Sequence, residues 1–427
     1  MTMKRNEAQP ESIPAVANDS SSVLKSSAML SSKVTGFELS TLKRFLRNMG
    51  NPPFIIELWD GTEVGSAEWP AARIRFTDRA ALYKLFFNPD LQFGELYVDN
   101  RLQVEGDLYK TIRVLCDALP DFTERGIMHR VLAYAYLLKR NTMDRAKDNI
   151  HHHYDIGNDF YRLWLDDQFV YTCAYFRQAS MSLEQAQIAK LDHVCRKLQL
   201  QPGMQVVEAG CGWGALALHM ARHYGVSVKA YNISKEQLAY ARTRAANEGL
   251  TEQVEFIEGD YRQIQGEYDI FVSVGMLEHV GVKHYRELGE TINRVLRPQG
   301  RGLIHTIGRN RPMPMNAWIE RHIFPGAYPP SLGEMTAIFE PFRFSILDVE
   351  NLRLHYAETL RHWLERFDQN TEQVRQMFDE SFIRSWRMYL AGSRAAFDCG
   401  ELQLFQVVFN RFNNPNIPAT RDFLYTD

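Results

Sequence analysis

From residue 204 onward the chain repeats one pattern: a short run of consecutive apolar residues, a turn, then a segment with apolar positions three and four apart. The runs are MQVVEA (204–209), VSVKAY (226–231), VEFIEG (254–259), DIFVSV (269–274) and GLIHTI (302–307). Segments such as GALALHMARHYG and KEQLAYARTRAANEG lie between them with helical spacing. Strands that lack polar alternation are covered on both faces, so this rhythm predicts a parallel sheet with helices on each side. Two more runs, FSILDVE (344–350) and LQLFQVVFN (402–410), extend the set to seven. The expected class is α/β, with a seven-stranded, mostly parallel sheet.

The first third reads differently. Residues 1–35 are rich in Ser, Ala and Pro and predict a disordered leader. Residues 36–122 mix helical stretches (FELSTLKRFLRNMG, RAALYKLFFNP) with strand-like FIIELWDG and ARIRFTD, which predicts a small α+β domain. Residues 123–150 contain VLAYAYLL flanked by lysines and arginines and predict a basic amphipathic helix. Such a helix either lies on an anionic bilayer or packs as a linker. The remainder, 151–427, is expected to form one larger domain around the sheet.

Composition narrows the function. A formal net charge of -3 gives no global attraction to nucleic acid. Five scattered cysteines without a C-x-x-C pair point to a reducing compartment, not to a disulfide framework or zinc ribbon. No segment reaches the roughly 18 consecutive apolar residues of a spanning helix, so a cytoplasmic protein is expected, with peripheral membrane contact left open. His151-His152-His153 suggests a metal, but consecutive residues point in different directions and rarely share one ion, so none is expected.

The first strand ends in EAGCGWG (208–214) and a helix follows. Glycines there permit tight turning, and the helix N-terminus offers unpaired N–H groups to a ligand. G-x-G-x-x-A also fits a dinucleotide fingerprint, which expects an acid about 20 residues later. The chain has Asn232 instead, which disfavours NAD. The spacing Glu-x-Gly-x-Gly-x-Gly resembles the first motif of S-adenosylmethionine-dependent methyltransferases. In GDYRQI (259–264), Asp260 is placed to accept from an adenine amine and Tyr261 to stack on the ring.

Six strings together are more specific: HYDIGNDFY (153–161), YTCAYF (171–176), AGCGWG (209–214), SVGMLEHVG (273–281), IHTIG (304–308) and HYAETLRHWLERF (355–367). In this order they resemble the cyclopropane-fatty-acyl-phospholipid synthase and mycolic acid methyltransferase family, over roughly residues 37–410. The resemblance implies a Rossmann-like class I methyltransferase that uses S-adenosylmethionine to build a cyclopropane ring on unsaturated phospholipid acyl chains. It implies work at the inner face of the membrane, and makes a homodimer plausible.

The reaction passes through a carbocation, so the site must exclude water, present aromatic faces and hold one weak base. In the family that base is a bound bicarbonate. Its cage carries over to Cys173 and Ile307 through backbone N–H groups, Tyr356 through its hydroxyl, and Glu278, which also orients His305. His279 is read as structural. For the cofactor the resemblance points to Tyr171, Thr172, Gly210, Cys211, Gly212, Asn232, Gln237, Asp260 and Tyr261. Cys211 is a small filler of the loop, and Gln237 replaces the missing acid as ribose ligand. Asn232 stands where the family has Thr, and Glu208-Ala209 where it has Asp-Ile. The alternatives are a methyl- or methylene-branched product, methylation of a small-molecule amine, and a lipid-binding relative without catalysis.

Overall fold

The computed structural model describes residues 33–65, 72–118 and 156–425. The expected leader (apart from residues 33–35), the basic helix at 123–150 and His151-His152-His153 lie outside the described residues.

The N-terminal unit begins with α1 (Gly36–Asn48), whose start is fixed by a capping box between Thr35 and Glu38. It continues through β1 (Phe54–Glu57), β2 (Glu63–Val64), β3 (Ala72–Phe76), α2 (Arg79–Phe87), α3 (Pro89–Val98), β4 (Leu102–Gly106) and α4 (Leu108–Ala118). The strands form a sheet of order β2-β1-β3-β4 in which β1 and β3 run parallel. Leu42, Leu46, Phe54, Ile74, Phe76 and Leu82 pack into a core of its own.

The second unit opens with α5 (Asn158–Arg162) and α6 (Leu183–Leu198) and then alternates. Its order is β5 (Gln205–Ala209), α7 (Ala215–Tyr224), β6 (Ser227–Asn232), α8 (Lys235–Asn247), β7 (Val254–Glu258), β8 (Tyr268–Val274), α9 (Tyr285–Val295) and β9 (Leu296–Gly308). The chain closes with α10 (Ala317–His322), α11 (Leu332–Phe339), β10 (Phe344–Asn351), α12 (Arg353–Gln369), α13 (Thr371–Met377), α14 (Glu380–Cys399) and β11 (Gln403–Arg411). The sheet order is β10-β11-β9-β8-β5-β6-β7, and β11 alone runs antiparallel to the other six strands. The chain steps outward from β5 to β7, then crosses back to β8. A crevice therefore opens at the carboxyl ends of β5 and β8, where doubly wound sheets bind ligands.

The two units meet through α3 and α4 against α10 and α14. A Cβ on Gly94 of α3 would lie 2.5 Å from the Trp318 indole, so glycine permits that helix to approach. Asp398 at the end of α14 accepts from the Tyr109 hydroxyl and from Arg113 Nε, each at 2.9 Å. Arg384 donates to the Tyr97 carbonyl at 2.7 Å and covers the Tyr97 ring at 4.2 Å.

Candidate active site at the carboxyl ends of the central strands

Gly210, Gly212 and Gly214 hold φ values of +85°, +52° and +84°, a region that side chains disfavour. They swing the chain from β5 into α7 while keeping its backbone low. A Cβ at Gly210 would lie 2.9 Å from Met276 Cβ, and one at Gly214 would lie 2.6 Å from the Phe256 ring. Asn232, at the tip of β6, fastens the loop. Its Nδ2 donates to the Gly212 carbonyl at 3.1 Å and to Gln237 Oε1 at 2.8 Å, and its Oδ1 accepts from the Ile233 and Ser234 N–H groups.

The segment after α5 forms the opposite wall. Buried Asp166 accepts from the N–H groups of Gln168 and Val170, both at 2.9 Å, and Phe169 adopts φ +56° within that turn. Tyr171, Thr172 and Cys173 follow. The Tyr171 hydroxyl meets the Tyr389 hydroxyl at 2.8 Å, and Gln187 of α6 donates to the Thr172 carbonyl at 2.9 Å. Ala174 N–H donates to Thr359 on α12 at 3.0 Å. Cys173 is fully buried, and burial pushes its thiol well up, away from nucleophilic character.

Between the walls stand two buried polar side chains, Glu278 and His305. Glu278 follows β8 in a turn of 3-10 helix, Leu277–His279. Its Oε1 accepts from the Ile307 N–H at 2.6 Å; its Oε2 is buried with no hydrogen-bond partner. Burial raises the carboxyl to about 7. His305 lies on β9, directly opposite Gln406 in the β9–β11 register. Gln406 Nε2 reaches His305 Nδ1 at 3.0 Å. Because the amide nitrogen donates, Nδ1 accepts and the ring proton sits on Nε2, which is buried and unpartnered. Burial, with Lys190 second, holds this imidazole neutral.

The hydrogen-bond partner of His305 is Gln406, where Glu278 was expected, and the Ile307 N–H, expected at a bound anion, donates to Glu278 in this structure. Both follow from register: Gly275 N–H bonds the His305 carbonyl at 2.9 Å, which brings the residues after β8 beside Ile307.

One cavity of about 180 Å³ lies between these walls. Its lining includes Tyr171, Thr172, Cys173, Gly210, Cys211, Gly212, Asn232, Gln237, Glu278, His305, Ile307 and Tyr356. Asp260 and Tyr261 do not line it. Asp260 Oδ1 accepts from the Arg262 N–H at 3.0 Å and pairs with its guanidinium at 2.9 Å, while the Tyr261 ring is buried beneath that guanidinium. His279 lines the cavity and is half-buried, and desolvation lowers its pKa to about 4. Sequence reasoning missed Lys190, Tyr389 and Gln406. Gln406 was detectable as a polar residue in the middle of the mostly apolar run LQLFQVVFN. The other two are set by long-range packing. Among the described residues, no cluster of His, Cys, Asp or Glu suits a metal ion.

The sheet order and the glycine loop at its switch point define a Rossmann-like methyltransferase fold. The mycolic acid cyclopropane synthase CmaA1, solved in complex with SAH and CTAB, superposes with a TM-score of 0.59 at 32% identity, over 62% of this chain and 97% of that one. The model of the mycolic acid cyclopropane synthetase family matches residues 141–407, and the chain belongs to that family. It is an S-adenosylmethionine-dependent methyltransferase of the cyclopropane and fatty acid methyltransferase group. A probable fatty acid methyltransferase of Pseudomonas putida is 36% identical over 87% of this chain and 96% of its own length. The cyclopropane-fatty-acyl-phospholipid synthase of Escherichia coli (strain K12) is 42% identical over 61% of this chain and 66% of its own. A separate model, a domain of unknown function, matches residues 41–125.

Proposed function

We propose that the protein adds a methylene carbon from S-adenosylmethionine across the double bond of an unsaturated phospholipid acyl chain, closing a cyclopropane ring. The observation that carries this reading is the pair of buried, unpartnered atoms at the cavity, Glu278 Oε2 and His305 Nε2. An acceptor and a donor left unsatisfied in a dry pocket fit a small protonated anion such as bicarbonate, which donates to the first and accepts from the second. When bound, S-adenosylmethionine supplies the electrophilic methyl group and bicarbonate the weak base. The protein's own residues do the rest. The glycine loop gives the cofactor a backbone-lined cradle, with the Gln237 amide beside it for the ribose. Tyr171, Tyr356, Tyr389 and Phe324 surround the reacting carbons with aromatic surface, which disperses positive charge and excludes water. Ile307, through its hydrogen bond, fixes the Glu278 carboxylate in place.

Among the described residues no helix is long and apolar enough to cross a membrane. The N-terminal unit supports a peripheral bilayer contact. Phe37 and Phe87 are 73% and 87% exposed, and Phe45 meets Phe86 edge to face at 5.4 Å, linking α1 and α2. Exposed Lys43, Arg44, Arg47 and Lys84 lie on the same two helices. Aromatics surrounded by cations suit an anionic lipid surface.

A second reading, a methyl- or methylene-branched product, starts from the same methyl transfer to the alkene and differs only in how the carbocation is resolved. One experiment decides: mass spectrometry of acyl chains after incubation with S-adenosylmethionine and unsaturated vesicles. The cyclopropane reading requires a gain of one CH2 and no alkene left for ozone to cleave. The same gain with a cleavable alkene means a methylene branch. A gain of CH2 and two further hydrogens, with no alkene, means a saturated methyl branch. No gain, with cofactor bound, removes the acyl-chain substrate.

A further inference from the structure

We propose that Cys116 and Cys399 close a reversible disulfide across the boundary between the two units, a thiol site that responds to peroxide. Neither residue lines the cavity, so the proposal stands apart from what the cavity binds.

The two cysteines lie far apart in the sequence and meet because α4 packs along the end of α14. Tyr109, Ile112, Arg113 and Cys116 recur every three or four residues on α4 and share one stripe. That stripe faces α14. The Tyr109 hydroxyl and Arg113 Nε both donate to Asp398 at 2.9 Å, Arg394 covers the Tyr109 ring at 3.6 Å, and Ile112 packs with Ala391. Cys116 stands one turn beyond Arg113, and Cys399 directly follows Asp398. The same register therefore brings thiol to thiol, and the Cys116 thiol hydrogen-bonds the Cys399 sulfur. Cys399 Sγ also lies 3.5 Å from the Ala396 carbonyl.

The other three cysteines are buried, and burial pushes their thiols up. Cys116 and Cys399 are half-buried, within reach of a small oxidant. The hydrogen bond from Cys116 draws Cys399 down to about 7 against burial, with the Glu401 N–H and Arg113 also favouring its thiolate; Cys116 is pushed up in exchange. Cys399 is thus the attacking sulfur and Cys116 the resolving one.

The Cys399 thiolate attacks hydrogen peroxide: an S–O bond forms, the O–O bond breaks, and hydroxide leaves to take up the proton that Cys399 released. The Cys116 sulfur then attacks the sulfenic sulfur. An S–S bond forms, the S–O bond breaks, and the departing hydroxide carries off the Cys116 proton as water. Two thiols are oxidised to one disulfide, and one peroxide is reduced to two waters. The bland reading is a thiol pair that merely fills the helix contact.

Treating the full chain with equimolar hydrogen peroxide and mapping its tryptic peptides without reductant separates the two. Cleavage after Arg113, Arg125, Arg394 and Arg411 places Cys116 in peptide 114–125 and Cys399 in peptide 395–411, each with one cysteine. The expected result is these two peptides joined within one chain, two hydrogens lighter than their sum, and parted again by dithiothreitol. Cys173, Cys195 and Cys211 are expected to remain thiols. Cys116→Ser should leave Cys399 as a sulfenic acid that dimedone traps, and Cys399→Ser should leave Cys116 a thiol. Absence of the joined pair in wild-type protein, or Cys399 linked only to a second chain, overturns the proposal whether or not the variants fold.

Discussion

The two ends of the cavity are built on opposite principles. At the glycine-loop end Asn232 is fully engaged, bonding Gly212, Gln237, Ile233 and Ser234, and of the acids there only Glu208 Oε2 is left without a partner. At the other end Glu278 Oε2 and His305 Nε2 are buried without partners. The satisfied end is a rigid mould for a ligand bound in one pose. The unsatisfied end is costly to the folded protein, since each unpaired buried polar atom costs about 1–3 kcal/mol. Such groups persist where chemistry needs them uncommitted.

The sharpest way to break this contrast is Glu278→Gln. The amide keeps an oxygen for the Ile307 N–H and loses the anionic acceptor. Turnover is expected to fall by ~10²–10³-fold while the dissociation constant for S-adenosylhomocysteine stays within about threefold. Tyr356→Phe should show the same split, less deeply. Steady-state kinetics alongside calorimetry measures both, and unchanged turnover in the two variants sinks the role assigned to this end. In the wild type the acceptor must be ionised, so turnover should rise with pH through about 7, a limb that Glu278→Gln lacks.

The same substitution tests the energetic half of the comparison. The Glu278 carboxyl stands at about 7 in the folded chain, against its ordinary 4.5. Between those values the native state holds a proton that the unfolded state releases, so stability falls as pH rises and stays lower above 7. Glu278→Gln should therefore stabilise the protein at pH 8, on the order of 2–3 kcal/mol, with little gain at pH 4.5. Urea unfolding at the two pH values measures this. A variant less stable than wild type at pH 8 contradicts the idea that this carboxylate is held at a cost.

At the satisfied end, Asn232→Ala removes the bonds that join the loop to Gln237. Cofactor affinity should drop ~10-fold, with turnover at saturating cofactor nearly intact. A loss confined to turnover would reverse the roles of the two ends.

How far each end was legible in the sequence follows from the range of its contacts. The glycine loop, Asn232 and Gln237 are within 28 residues of one another, and a turn followed by a helix is written in that local string. The seven apolar runs likewise announced the sheet, because strands buried on both faces need no partner to be recognised. The direction of β11 was not legible, since an apolar run carries no polarity. Nor was the His305–Gln406 pair, which depends on cross-strand register between residues 101 apart. Lys190 was hidden for the opposite reason: long helical lysines normally reach solvent, and only the packed α6 shows that this one does not.

The smallest expected effect lies outside the cavity, on α1 and α2. Their cations are exposed and solvated, so each contributes to a lipid surface mainly through long-range attraction, about 1 kcal/mol. Arg44→Gln should weaken binding to vesicles rich in anionic phospholipid by about fivefold at low salt and leave S-adenosylhomocysteine binding unchanged. Vesicle co-sedimentation at two salt concentrations measures it. If the loss persists at high salt, or is equal on neutral vesicles, Arg44 acts through local packing and the electrostatic reading of this face is wrong. If it vanishes with salt as expected, lipid capture and cavity chemistry are separable functions of the two units. One is then held by screened surface charge and the other by groups that burial has stripped of water.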